Sequence, residues 1–166
     1  MSKRVRQYIG ILSAIIFYFI IHEGAHFIYS LVIGAFKRIK IIGLGMQIDV
    51  YSEKMTESQF GIFCLIGAVI TLLSAYIFVF LIGAISRTYS KVFKACCYYI
   101  TIALLIIDPL YLSLLCGFFG GGDMNGISLL IPELAARFIF SAILVINVCV
   151  FWQVVLPKYK VAFSDN

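Results

Sequence analysis

The pentapeptide His22-Glu23-Gly24-Ala25-His26 lies inside an apolar run from Tyr8 to Ile33, and it holds the only two histidines of the chain. On an α-helix, positions four apart lie on one face, one turn apart. Two imidazoles placed in this way can hold one metal ion, and a glutamate beside the first is close enough to act on a water there. A histidine on an apolar helix is more often a packed core residue. Here, however, three ionisable groups fall within five residues. Each charged group at membrane depth costs roughly 2.5–3.5 kcal/mol on insertion scales, so it needs a compensating partner. A bound metal is one such partner; packing and a metal-free proton relay are the others.

Composition decides that the run is a membrane span and not the core of a soluble domain. Of 166 residues, 63% are hydrophobic and 13% charged, against about 45–50% apolar residues in soluble domains. The expectation is a multi-pass integral protein of the lipid bilayer, most simply the cell membrane. The net charge of +5 then speaks to topology and not to nucleic acid, because Lys and Arg collect on the cytoplasmic side. The first apolar run is too long for a signal peptide and is read as a mature helix. Cys64, Cys96, Cys97, Cys116 and Cys149 are odd in number and lack metal-ligand spacing, so they read as small buried hydrophobes.

The remaining spans follow in order. Tyr8–Ile33 is the first helix, which puts His22 some 15–20 Å from either end at about 1.5 Å per residue. After Gly34 the period changes. Arg38-Ile39-Lys40-Ile41 and Gln47-Ile48-Asp49-Val50 alternate about Gly43-Leu44-Gly45, predicting a β-hairpin within Phe36–Tyr51. Such a hairpin must sit at the interface or over a protein cavity, since lipid satisfies no backbone groups. A second helix is expected over Gln59–Ile85 and a third over Val92–Phe119, kinked at Pro109. Gly117–Gly126 reads as a broken, unwound segment that brings Asp123 to membrane depth. The last helix follows, kinked near Pro132 and ending about Leu156, with Glu133 and Arg137 paired on one face. The tail from Pro157 is polar. The fold class is thus an all-α polytopic membrane protein of about four transmembrane helices, with a short β-hairpin after the first. Residues 1–166 form a single membrane-embedded domain.

These features resemble the site-2 protease family of intramembrane zinc metalloproteases. The resemblance rests on His22-Glu23-Gly24-Ala25-His26 in the first membrane helix, the glycine-flanked hairpin after it, and Gly122-Asp123-Met124-Asn125-Gly126 about a hundred residues later. It implies a minimal protease core without accessory domain. Zinc would be held by His22, His26 and an Asp, with Glu23 as general base, and the substrate would be a transmembrane protein or peptide. Asn125 is the suggested oxyanion or substrate contact. For the third ligand the chain offers Asp108, buried near the middle of an apolar helix, and Asp123. Antiparallel helices bring the glycine segment back to the end of the first helix, and the family pattern also matches Asp123. Asp108 remains the alternative ligand, or else a protonated carboxyl bonded to a neighbouring helix.

Two other readings are open. One is a catalytically silent, metal-binding homologue acting as a regulatory or immunity membrane protein. The other is a metal-ion carrier, for which inverted repeats would be expected. Orientation is also divided. With the N-terminus in the cytoplasm, inside segments hold Lys3, Arg4, Arg6, Arg87, Lys91, Lys94, Lys158 and Lys160, eight cations against Lys37, Arg38, Lys40 and Lys54 outside. Charge bias therefore puts both termini inside, whereas the resemblance implies the reverse. The sequence does not indicate the oligomeric state.

Overall fold

The computed structural model describes residues 1–42, 45–118 and 122–164. In chain order it contains α1 (Lys3–Val32), β1 (Phe36–Ile42), β2 (Gly45–Val50), α2 (Glu57–Ser86), α3 (Lys91–Leu110), α4 (Gly122–Ile127), α5 (Glu133–Val150) and α6 (Leu156–Ser164). A π-helical turn, Tyr111–Leu115, extends α3, and another, Phe151–Val155, joins α5 to α6. Four helices are long and apolar enough to cross a membrane: α1, α2, α3 with its π turn, and the α5–α6 rod. Their outward faces carry exposed Leu12, Ile16, Ile20, Ile77, Phe80, Phe138 and Val145. A bilayer covers such apolar surface, and water does not.

The expected elements are present, with shifted ends. The basic start of the chain is helical, so α1 begins at Lys3 and not at Tyr8, with Ser2 accepting from the Val5 N–H as its N-cap. His22 is therefore off-centre, at roughly 28 Å from the start of α1 and 15 Å from its end on the helical rise. The second helix starts at Glu57, where Thr56 and Gln59 close a capping box. Gly122–Ile127 is a helical turn and a half, not unwound chain, because glycine freedom permits a helix wherever packing supplies the energy. Pro132 does not kink the last helix. It stands just before Glu133, where a helix needs no N–H donor. The expected polar tail from Pro157 is helix α6.

The prolines inside helices are both accommodated by π turns. Pro109 has no N–H for the Leu105 carbonyl, and the helix widens directly after it, with the Cys116 N–H reaching back to the Tyr111 carbonyl at 2.8 Å. Pro157 follows the second widened turn. The carbonyl that Pro109 frees is not left in the apolar interior. Fully buried Asn147 of α5 donates its side-chain N–H to Leu105 O at 2.7 Å, and its Oδ1 accepts from Tyr76 Oη of α2 at 2.7 Å. One amide thus ties three helices together.

The buried residues form two clusters. Ala14, Ala75, Ile82, Leu104, Leu105, Val155 and Tyr159 pack at one end. Ile48, Phe63, Cys64, Leu112, Met124, Ile127 and Phe140 pack at the hairpin end. Along α1 and α3, the residues between the clusters are His22–His26 and Asp108, whereas Gly67 of α2 lies between Cys64 and Ala68 of the hairpin-end cluster. The two ends also differ in charge. Arg6 lies over the Phe163 ring at 5.4 Å, so the start of α1 and the end of α6 share the end away from the hairpin. Lys94, in the first turn of α3, is fully buried, and its Nζ caps α6 at the Ala162 carbonyl, 2.6 Å away. Arg137 and Glu133 pair at 2.7 Å as expected. All five cysteines are free, but only Cys64, Cys97 and Cys116 are buried; Cys96 is half-buried and Cys149 exposed.

Asn147→Leu keeps the branched shape of the side chain and orphans both the Leu105 carbonyl and the Tyr76 hydroxyl. It should cost about 1–2 kcal/mol, read as a lower Tm in detergent; an unchanged Tm would discount the bridge.

Candidate metal centre

α1 supplies the first wall from one helical row. Gly10, Ala14, Tyr18, His22, His26 and Ser30 recur at four-residue steps, and all but half-buried Tyr18 are buried. The small members let α2 and α3 approach, and the large polar members face them. α2 answers with small residues at three- and four-residue steps: Gly61, Cys64, Gly67, Ala68, Thr71 and Ala75, all buried. Such faces allow close helix packing in membranes. At Gly67 the approach is so close that an added Cβ would stand 2.6 Å from His26 Nε2 and 2.9 Å from His22 Nε2. At Gly126 of α4 an added Cβ would collide with the Cys64 side chain of α2. This second contact presses the short helix onto α2 and brings Asp123 over the histidines.

Each imidazole is fixed through its Nδ1. His26 Nδ1 lies 2.7 Å from the Phe63 carbonyl, which only accepts, so this nitrogen carries the proton. His22 Nδ1 lies 3.2 and 3.3 Å from the two carboxylate oxygens of buried Asp108, which also accepts from the Tyr18 hydroxyl. Both Nδ1–H groups are thereby committed, and both Nε2 lone pairs turn the same way. The two Nε2 atoms stand 3.1 Å apart. Lone pairs at that distance repel unless a cation, metal or proton, lies against them.

Asp123 completes the set. Its Oδ2 is 3.3 Å from His22 Nε2 and 3.7 Å from His26 Nε2. His22, His26 and Asp123 thus offer three ligand atoms within 4.8 Å of one another, the one such group among the described residues. Two imidazoles and one carboxylate are a donor set that can hold a divalent metal ion and leave a further position open. Asp108 stands outside the set. It holds a ligand in place, the carboxylate–histidine arrangement common behind metals.

Glu23 lies beside the ligands without joining them. Its Oε2 accepts from the Ile48 N–H of β2 at 3.1 Å. A cavity of about 280 Å³ is lined by Glu23, His26 and Asp123 on one side and by Gly45, Met46, Gln47 and Ile48 on the other. A second, of about 460 Å³, reaches His22, Glu23 and Asp123 past Tyr18 and Asp108. β2 is the inner strand of the hairpin, with Ile48 buried, and β1 is the outer one. The hairpin therefore packs over a protein cavity, the second of its two expected positions; its tip, Gly43-Leu44, lies outside the described residues. Asn125 is exposed and lines neither cavity. Two residues after Asp123, it is turned by about 200° around the helix.

Tyr18, Gly67 and the Phe63 carbonyl were not singled out from the sequence. The four-residue row of α1 and the small-residue row of α2 were the available signals for the first two. The Phe63 carbonyl has none, since any helix offers many carbonyls.

Three substitutions separate the roles. Asp123→Ala and Gly67→Ala should each abolish stoichiometric metal binding, the first by removing a ligand and the second by filling the ligand side. Asp108→Asn should keep the metal with about 10–100-fold weaker affinity. Metal content by elemental analysis and affinity by competition with a chelator decide this; metal retained in Asp123→Ala but stripped by Asp108→Asn would exchange the two roles. No family model matches this chain, and neither a characterised protein nor a solved structure matches it significantly.

Proposed function

We propose that this chain is an intramembrane zinc metalloprotease of the site-2 protease type, cutting a peptide bond in or near a transmembrane segment of a protein or peptide. The observation that carries the reading is that Glu23 shares one cavity with His26 and Asp123, while its own carboxylate stays off the ligand set. That is the place of a base and not of a ligand.

Zinc held by His22, His26 and Asp123 would supply a Lewis acid and bring the pKa of water towards about 7. Glu23 takes the proton that water gives up and returns it to the departing amine. The Ile48 N–H holds this carboxylate against the cavity. Asp108 and the Phe63 carbonyl keep both imidazoles in the ligating tautomer. A helical substrate hides its carbonyls in its own hydrogen bonds and must unwind first. Gly45–Ile48 of β2 lines the cavity, where an unwound segment can add as a strand and satisfy its freed backbone groups.

The test is purified protein with zinc and a membrane peptide, comparing wild type with Glu23→Gln. The variant should keep its zinc and lose cleavage by about 10³-fold or more. Near-normal cleavage by the variant removes Glu23 as base. Stoichiometric zinc with no cleavage by wild type favours the silent regulatory homologue.

A further inference from the structure

The end of the bundle away from the hairpin has a cavity of its own, unconnected with the histidines. It measures about 310 Å³ and lies between the start of α1, α3 and α6. Ala95, Tyr98, Tyr99, Leu156 and Phe163 give it apolar and aromatic walls, and Lys3, Arg6 and Lys160 supply three cations to its lining. Among the described residues no acidic side chain lines it. Among the described residues none of these three cations makes an ion pair. Arg6 is seated over the Phe163 ring at 5.4 Å, so its guanidinium is held at the cavity and not left to solvent.

Like charges brought by two helices to one apolar-walled recess repel each other unless an anion joins them. The walls decide which anion. A free inorganic ion would use the cations and gain nothing from the aromatic lining. On the cavity's side, α1 exposes Ile11, one turn on from Gln7, and the α5–α6 rod exposes Trp152, one turn before Leu156, so the recess lies where an apolar surface begins. We propose that this cavity binds the phosphate headgroup of an anionic phospholipid, with the acyl chains lying between α1 and the α5–α6 rod. Basic pockets between membrane helices are suited to such headgroups. The site is independent of the metal centre and of the proteolytic reading.

The experiment titrates the detergent-purified full chain with short-chain phosphatidylglycerol, with phosphatidylcholine of the same chains, and with inorganic phosphate, read by native mass spectrometry. Phosphatidylglycerol should bind at least about tenfold more tightly than phosphatidylcholine, and equimolar phosphate should not displace it. Each cation near an anionic lipid contributes about a fivefold gain in affinity. Arg6→Gln and Lys160→Gln should therefore each lower that preference about fivefold, while Arg87→Gln, at the same end but outside this cavity, should leave it within about twofold. Equal binding of the two lipids, displacement by phosphate, or an equal loss in Arg87→Gln and Arg6→Gln would overturn the proposal. Variants are compared only where their Tm matches wild type, and Arg6→Lys, which keeps the charge, should retain the preference.

Discussion

The two Nε2 atoms of His22 and His26, 3.1 Å apart, set the terms for the surrounding structure. In water such a pair would turn away or take up protons with little penalty. Among apolar helices each polar group must find a partner, because an unpaired one costs several kcal/mol in hydrocarbon. The partners come from different elements: Asp108 from α3, the Phe63 carbonyl from α2 and Asp123 from α4. Satisfying two imidazoles therefore ties four helices into one arrangement. This is why the centre sits at the edge of the hairpin-end cluster, where α1 and α3 pass from one cluster to the other.

Close approach is the second requirement, and it is met by absence of side chain. Gly67 leaves room for the imidazoles against α2, and Gly126 lets α4 lie on Cys64. Apolar side chains gain little from packing on each other when the alternative is lipid. Small residues that bring backbones and polar groups within reach accordingly do more of the work. The same logic explains Asn147. Pro109 frees a carbonyl in the interior, and a single buried amide both satisfies it and links α5 to α2 and α3.

The polar chemistry is also divided along the bundle. Glu23 and the cavity under β2 lie towards the hairpin, whereas Lys3, Arg6, Lys94 and Lys160 lie at the other end. Lys94 shows that cations there have different duties. It is buried and caps α6, while Lys3, Arg6 and Lys160 line an apolar-walled recess. A count of charges by loop treats them alike, although only the exposed ones are available to lipid.

Helix number, the hairpin and the pairing of His22 with His26 were legible in the chain, because they rest on local rules: apolar length, alternation and the four-residue step. The neighbourhood of Asp123 was legible too, since antiparallel connection brings the glycine segment back to the end of α1. Helix ends were less so. Capping at Ser2 and continuation through Pro157 depend on a few bonds that apolar patterning does not encode. The division of labour between Asp108 and Asp123 lay beyond local rules altogether. Both are acids among apolar residues, and only the rotation of α3 and α4 against α1 decides which meets Nδ1 and which meets Nε2. The sequence by itself determined which groups had to be buried and that they needed partners. The tertiary structure decided the partners, because side-chain atoms from four elements meet only once the helices have packed.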